Sequence, residues 1–338
     1  MKQAIRDPGQ LLQAVGLDPA GAVAAPTFGS FVPPALLARI RRGDPDDPIL
    51  RQVLPIASED DEHQPSGYSR DPVAEVAGLT DVTGATLSES KVTSHPVAGI
   101  PSGATRVIKK YPGRALLITT GACGVHCRYC FRRHFPYPTG PQQQSQWEPW
   151  LQPIAADRTI SEVILSGGDP LVLSDRSLER LAQGLRAIPH VRWLRIHSRM
   201  PVVIPQRVTD AWLELWHGFA AKTMVIHANH ANELDDRVAR AVAMLRDGGF
   251  QVLNQAVLLR GVNDTVQALA DLSRRLIDCG VTPYYLHQLD RVSGASHFEV
   301  PVAEGLQMVD QLRQQLPGYA VPRYVQEIPG ELSKRVLA

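Results

Sequence analysis

Three of the four cysteines in this 338-residue chain fall within eight residues. They are Cys123, Cys127 and Cys130, spaced CxxxCxxC in the stretch Gly121 to His134. Three thiols so close cannot all pair with one another as disulfides, and as thiolates they can converge on a soft metal centre. Three thiolates with one position left open suit a [4Fe–4S] cluster that keeps one iron free for a ligand. A structural zinc site needs a fourth ligand to close its tetrahedron, and His126 or His134 is near enough in sequence to supply it. Spacing alone leaves cluster, zinc and coincidence open.

The balance of charge narrows the partners. Lysine and arginine number 35 against 34 acidic residues, which argues against a nucleic acid or other polyanion. No apolar run reaches membrane-spanning length and no signal-peptide pattern opens the chain, so a soluble, cytoplasmic protein is expected. Grouped cysteines fit a reducing compartment. Cys279, beside Gly280 at an expected helix end, reads as a small buried hydrophobe. The only lysines are Lys2, Lys91, Lys109, Lys110, Lys222 and Lys334, so a Schiff-base lysine would have few candidates.

Residues 1–105 read as a mainly helical and loop-rich N-terminal extension, and 106–338 as the core domain. Asp7 before Pro8 is a helix start, with Leu11, Leu12 and Val15 as its apolar face. A second helix is expected from Pro34 to Arg42, with Leu36, Leu37 and Ile40 inward and Gly43 as its stop. The string DPDDPILRQVLP, Asp44 to Pro55, reads as a proline-punctuated loop and short helix packed on the main domain, with no chemistry of its own. Ser58 to Gly103 is polar and loop-like.

From Arg114 the pattern alternates. RALLITT, EVILSGG, RWLRIHS, TMVIHAN, VLNQAVLL and YYLHQL are strand-like runs. Between them Leu178, Leu181, Leu185 and Ile188 mark one helix face after Ser174. Val238, Ala241 and Leu245 mark another before Gly248, and Leu269, Leu272 and Leu276 a third before Gly280. Such alternation makes parallel strands with crossover helices. Six units predict an α/β fold, a partial (β/α)6 barrel, with a doubly wound open sheet as the alternative. Chemistry in either sits at the carboxyl ends of the strands, and the Cys loop directly follows the first.

The string YPGRALLITTGACGVHCRYCFRRHFPY, Tyr111 to Tyr137, resembles the radical S-adenosylmethionine (SAM) lysine 2,3-aminomutase family. Its closest likeness is to the bacterial branch that makes (R)-β-lysine for modifying elongation factor P. CxxxCxxC with an aromatic residue, Tyr129, before the last cysteine is the radical SAM signature, and later strings carry the resemblance along nearly the whole chain. It implies a (β/α)6 barrel open on one side, a [4Fe–4S] cluster on Cys123, Cys127 and Cys130, SAM, and pyridoxal 5′-phosphate. LSGGDP ends the second strand; read alone, its glycines make a tight turn or let backbone approach a ligand. The resemblance sets Ser166, Gly167, Gly168 and Asp169 against the amino group of SAM. It turns Ser198 and Arg199 toward the carboxylate and ribose of SAM, and places Tyr129, His227 and Gln255 in the same pocket. Read alone, His227 and Gln255 are satisfied polar core residues.

Lys2 and Lys91 lie in the extension, and Lys109, Lys110 and Lys222 lie before or at the start of strands, pointing toward the amino-end face. Lys334, in EIPGELSK, remains. Read alone, a lysine so near a C-terminus is solvated. The resemblance makes it the pyridoxal lysine, with Arg114 and Lys110 near the phosphate. It gives Arg132 the substrate carboxylate, and Asp290 and Glu327 the substrate ε-ammonium. Two buried carboxylates by one pocket repel unless a cation lies between them, which a long cationic amino acid supplies. The implied reaction moves the amino group of L-lysine from carbon 2 to carbon 3. The implied partners are L-lysine, a flavodoxin- or ferredoxin-type reductant and, through the pathway, elongation factor P and its ligase.

Some positions depart from the family pattern. The chain stops four residues after Lys334 without the cysteines that bind zinc in larger catabolic relatives, so no zinc site is expected. Glu327 stands where aspartate is frequent, Gly330 is what remains of a glycine-rich run, and His287 replaces an aromatic hydroxyl. A glutamate 2,3-aminomutase would lack the Asp290–Glu327 pair. A non-catalytic iron–sulfur or zinc protein would need only the cysteines.

Overall fold

The computed structural model describes residues 2–60, 65–76, 106–137 and 147–338. Most of the stretch from Ser58 to Gly103, Lys91 included, lies outside the described residues. Helix α1 (Pro8–Ala14) starts as expected, with the Asp7 carboxylate accepting from Gln10 N at 2.7 Å. Helix α2 is a single turn, Pro34–Leu37, not a helix to Arg42. Beyond it the bonds tighten to Arg39 N–Leu36 O and Ile40 N–Leu37 O, and Arg39 turns away to donate to Val202 O at 2.6 Å. Tertiary contacts there outweigh helix propensity. Helix α3 (Pro48–Arg51) is capped by buried Asp47, whose Oδ1 accepts from Ile49 N and Leu50 N.

The chain then builds one nine-stranded sheet among the described residues, with strands in sequence order. They are β1 (Val107–Ile108), β2 (Arg114–Thr120), β3 (Glu162–Gly167), β4 (Trp193–His197), β5 (Ala221–Ile226), β6 (Phe250–Val257), β7 (Thr282–His287), β8 (Arg323–Gln326) and β9 (Arg335–Val336). Neighbours from β2 to β8 pair in parallel, while β1 and β9 are antiparallel edges. The crossovers carry α4 (Glu148–Ala156), α5 (Asp175–Arg186), α6 (Met200–Val203), α7 (Asp210–Glu214), α8 (Asp236–Asp247), α9 (Val266–Asp278) and α10 (Val302–Gln315).

Right-handed crossovers in unbroken order put every helix on the same face of the sheet. Its other face is then covered only by curling, which gives a partial barrel; a doubly wound sheet reverses its strand order. No ladder joins β1 to β9 among the described residues, so a seam stays open. All six expected strand–helix units are present. The seventh parallel strand, β8, escaped the sequence reading because it is four residues long with an exposed Arg323.

Alternation along each strand sorts two environments. Val163, Leu165, Leu194, Ile196, Met224, Ile226, Val252 and Ala256 face the helices in one hydrophobic core. Leu178, Leu181 and Leu185 of α5 meet them from outside, fully buried, at about 2 kcal/mol each. The intervening positions, Ser166, His197, His227, Gln255 and His287, face the barrel interior. Leu11, Val32, Leu36, Ile49 and Leu50 of the N-terminal region belong to that same core.

The N-terminal region also reaches the Cys loop electrostatically. Buried Glu59 accepts from Arg128 Nε at 2.9 Å and from Arg133 Nη2 at 2.9 Å. Removing one partner of a buried ion pair strands the rest. Glu59→Ala, which leaves two guanidinium groups uncompensated, is expected to cost about 3–5 kcal/mol, measured by urea denaturation of the apoprotein.

Candidate active site

The loop after β2 and the loop after β3 are welded backbone to backbone. Gly168 N donates to Thr120 O at 2.7 Å and Asp169 N to Ala122 O at 2.8 Å. A Cβ on Gly168 would lie 2.3 Å from Ala122 O. Gly167, at φ +121°, would place one 2.5 Å from Thr120 O. The glycines of SGGDP are therefore required by the Cys loop itself, before any ligand is considered. Asp169 extends the weld to the end of β4, accepting from Ser198 Oγ at 2.7 Å and Arg199 N at 2.8 Å. Burial pushes its carboxyl up to about 6 against those hydrogen bonds.

Arg199 joins this frame to the cysteines. Its Nη1 donates to Cys127 Sγ at 2.8 Å, and its Nη2 to Gln52 Oε1 at 2.6 Å and Glu233 Oε2 at 2.8 Å. Gln52, fully buried just after α3, also accepts from Asn229 Nδ2 at 3.0 Å and the Tyr129 hydroxyl at 3.2 Å. Tyr129 stacks on His227, with its hydroxyl 2.8 Å from Nε2. Burial pushes His227 down to about 3, so its imidazole is neutral. Burial alone would raise the Glu233 carboxyl, but Arg199 and its hydrogen bonds hold it below the usual range. Gln52 and Glu233 were missed in the sequence: one sits in a string that reads as packing, the other in an ordinary helix cap.

A second cluster forms where the sheet is open. The turn between β8 and β9 places Lys334 on Glu327 as a cross-hairpin ion pair. From the opposite edge, between β1 and β2, Lys110 Nζ reaches Glu327 Oε1 at 2.5 Å and the Tyr111 hydroxyl donates to the same oxygen at 2.6 Å. Glu327 thus spans the seam. Lys110, expected to face away, points to this carboxylate, and Arg114 rests on the Tyr111 ring at 5.5 Å. Burial alone would raise Glu327, but Lys334, Lys110 and Tyr111 hold it at about 2. Burial pushes nearby Asp290 up to about 7; Lys334 opposes this and Glu327 adds to it. His197 and His287, both held neutral by burial, present Nε2 atoms with no hydrogen-bond partner among the described residues, within electrostatic reach of Lys334.

Arg132 lies within the same reach of His197. Its Nη1 donates to Ser166 Oγ at 2.9 Å and Gly167 O at 3.1 Å, and its other edge holds Glu75. Gln255 makes no side-chain hydrogen bond among the described residues.

The donor set at the cysteines favours a polynuclear cluster over a single ion. All four cysteines are free. The Cys123 thiol is raised by burial and then by its sulfur neighbours, and Cys130 is pushed up to about 11 by burial and Cys127. Three thiolates there need a cationic centre. A zinc site draws its sulfurs to within about 4 Å of one another, whereas cluster ligands stand apart on separate irons. The two histidines that would complete zinc are committed to backbone, His126 to Gly29 O at 2.8 Å and His134 to Ser293 O at 3.0 Å.

The comparisons agree with this site. Residues 117–273 match the model of the Radical SAM superfamily. The chain is 43% identical to the L-lysine 2,3-aminomutase of Escherichia coli (strain K12), over 98% of this chain and 92% of that protein. It is 41% identical to the L-lysine 2,3-aminomutase of Haemophilus influenzae, over 100% of this chain and 94% of that one. A radical SAM methyltransferase from Sphaerobacter thermophilus aligns with a TM-score of 0.46 at 17% identity, over 65% of this chain and 68% of that chain. Full-length identity at this level, with the cysteine loop inside the matched domain, carries the assignment: the chain belongs to the radical SAM L-lysine 2,3-aminomutase family.

Proposed function

We propose that this isomerase converts L-lysine to (R)-β-lysine with pyridoxal 5′-phosphate as a second cofactor, and that its product serves the modification of elongation factor P. The observation that carries this reading is the charge pattern of the barrel interior. His197 lies within electrostatic reach of both Arg132 and Lys334, and Lys334 is paired with Glu327 and acts on Asp290. A guanidinium for a carboxylate and two carboxylates for a distant ammonium match the two ends of lysine. Glutamate would meet the carboxylates with like charge.

Family membership brings the [4Fe–4S] cluster and SAM, with Cys123, Cys127 and Cys130 as the cluster ligands. When bound, they supply one-electron hydrogen abstraction, and a pyridoxal ring supplies the delocalisation through which an amino nitrogen moves between adjacent carbons. The chain's residues do the rest. Arg199 and the backbone of Gly167 and Gly168 face the cysteine loop where SAM would lie, with Ser166, Asp169, Ser198, Tyr129, His227 and Gln255 around them. Lys334 is the lysine for pyridoxal, with Lys110 and Arg114 as cations for its phosphate; the unpartnered imidazoles of His197 and His287 mark polar space beside it. In this structure the Lys334 amine rests on the Glu327 carboxylate, a contact it must give up to bond to carbon. A flavodoxin- or ferredoxin-type reductant would supply the electron, and a cytoplasmic setting would keep the thiols reduced. No helix of the described residues is long and apolar enough to cross a membrane.

The test is anaerobic. The reconstituted enzyme receives SAM, pyridoxal phosphate, a reductant and L-lysine, and chiral mass spectrometry reads the product. (R)-β-lysine from the wild type supports the reading; β-glutamate from glutamate alone would replace the substrate. Lys334→Ala is expected to lose borohydride-trapped pyridoxal and all product, while still cleaving SAM reductively. Cys127→Ala is expected to lose both activities.

Asp290 sets a pH dependence. Its ionised form is the one that binds an ammonium, and that form is scarce below about pH 7. The KM for lysine is expected to be about twofold its alkaline-plateau value at pH 7 and about tenfold that value at pH 6. Asp290→Asn is expected to flatten that slope and leave the high KM at every pH.

A further inference from the structure

Arg132 is nearly saturated before any substrate arrives. A guanidinium has five N–H groups. Nε donates to Glu75 Oε2 at 2.6 Å and Nη2 to Glu75 Oε1 at 2.8 Å, a bidentate pair on a buried edge. Nη1 donates to Ser166 Oγ and Gly167 O. One N–H on Nη2 is left, and a forked grip on an incoming carboxylate needs two. Ser166 and Gly167 belong to the end of β3, welded to the Cys loop. Glu75 does not belong to the barrel.

The segment that carries Glu75, residues 65–76, is tied to the chain after β7 and to Lys110 beside the first strands. Ser69 bridges to Val292, the Tyr68 hydroxyl donates to Glu299 at 2.9 Å, and Lys110 Nζ donates to Val73 O at 3.3 Å. The Asp71 carboxylate folds the end of this segment, accepting from Glu75 N at 3.0 Å and Val76 N at 2.9 Å. Ala74, the residue before Glu75, is the one non-glycine at positive φ among the described residues, at 54°. Left-handed backbone at an alanine is strained and persists where surrounding contacts enforce it. The strain is spent on aiming a carboxylate at Arg132.

The geometry points to Glu75 as an internal stand-in for the substrate carboxylate, one that a free α-carboxylate must replace on Arg132. This rests on the reading of Arg132 as the substrate's carboxylate anchor. The exchange swaps one carboxylate for another, so the buried guanidinium is never left without a counter-ion. An amine without a carboxylate cannot make the swap. Glu75 therefore selects for amino acids over the corresponding diamines, and substrate binding loosens residues 65–76 at the Glu75 end.

Amide hydrogen exchange of the reconstituted enzyme reads this directly. Saturating L-lysine is expected to speed exchange in residues 65–76, and saturating 1,5-diaminopentane to leave it unchanged. Glu75→Gln, which keeps the shape and removes the competing charge, is expected to lower the Kd for lysine about tenfold and abolish the lysine-induced exchange. Unchanged or slowed exchange with lysine in the wild type overturns the proposal even if the variant misfolds. So does a Glu75→Gln enzyme that binds lysine more weakly, which would make Glu75 a support for Arg132. Arg132→Met separates the two readings. If it binds lysine as well as the wild type, the anchor assignment falls and this inference with it; if its binding collapses, only the exchange and the Glu75 variant decide.

Discussion

Four arginines crowd the cysteine loop, and each is neutralised by a buried glutamate from elsewhere in the chain. Arg128 and Arg133 share Glu59, Arg132 takes Glu75, and Arg199 takes Glu233. In a low-dielectric interior such pairs add little net stability over apolar packing, but losing one member is costly. Their value lies in position. The cations sit where three thiolates must be held, and the glutamates tie that loop to the N-terminal region and to the carboxyl ends of β4 and β5. The fold around the loop is organised to satisfy those pairs.

The barrel was legible in the sequence because its signals are local. β-branched runs, helix faces spaced by three and four, and the capping residues Asp7 and Ser174 each act within a few positions. The cysteine motif was legible for the same reason. What could not be read is what depends on distance in sequence. Gln52 meets Arg199 across 147 positions and Tyr111 meets Glu327 across 216. Nothing near Gln52 distinguishes it from a glutamine on a surface turn. The truncation of α2 and the short β8 were missed because tertiary contacts, not propensity, decide them.

The open seam and the Lys334–Glu327 cluster are the same place. A closed barrel would bond its first strand to its last through backbone. Here one carboxylate, Glu327, receives side chains from both edges of the sheet. The polar groups that substitute for a missing ladder are also the groups that the proposed chemistry uses. That shared duty explains why so many charges stand in a barrel interior whose helix-facing side is built mainly of apolar residues.

The glutamate partners make the cysteine string a poor candidate for transplantation. Fourteen residues carry the three cysteines, and a designer would be tempted to graft them onto the first loop of another parallel barrel. The graft would import the guanidinium groups of Arg128, Arg132 and Arg133 without the acids that balance them, and would lack the glycine pair that lets Ala122 approach. Recombination between relatives meets the same barrier. A crossover that separates Glu59 and Glu75 from the cysteine loop joins two halves whose charges and contours were fitted to other partners.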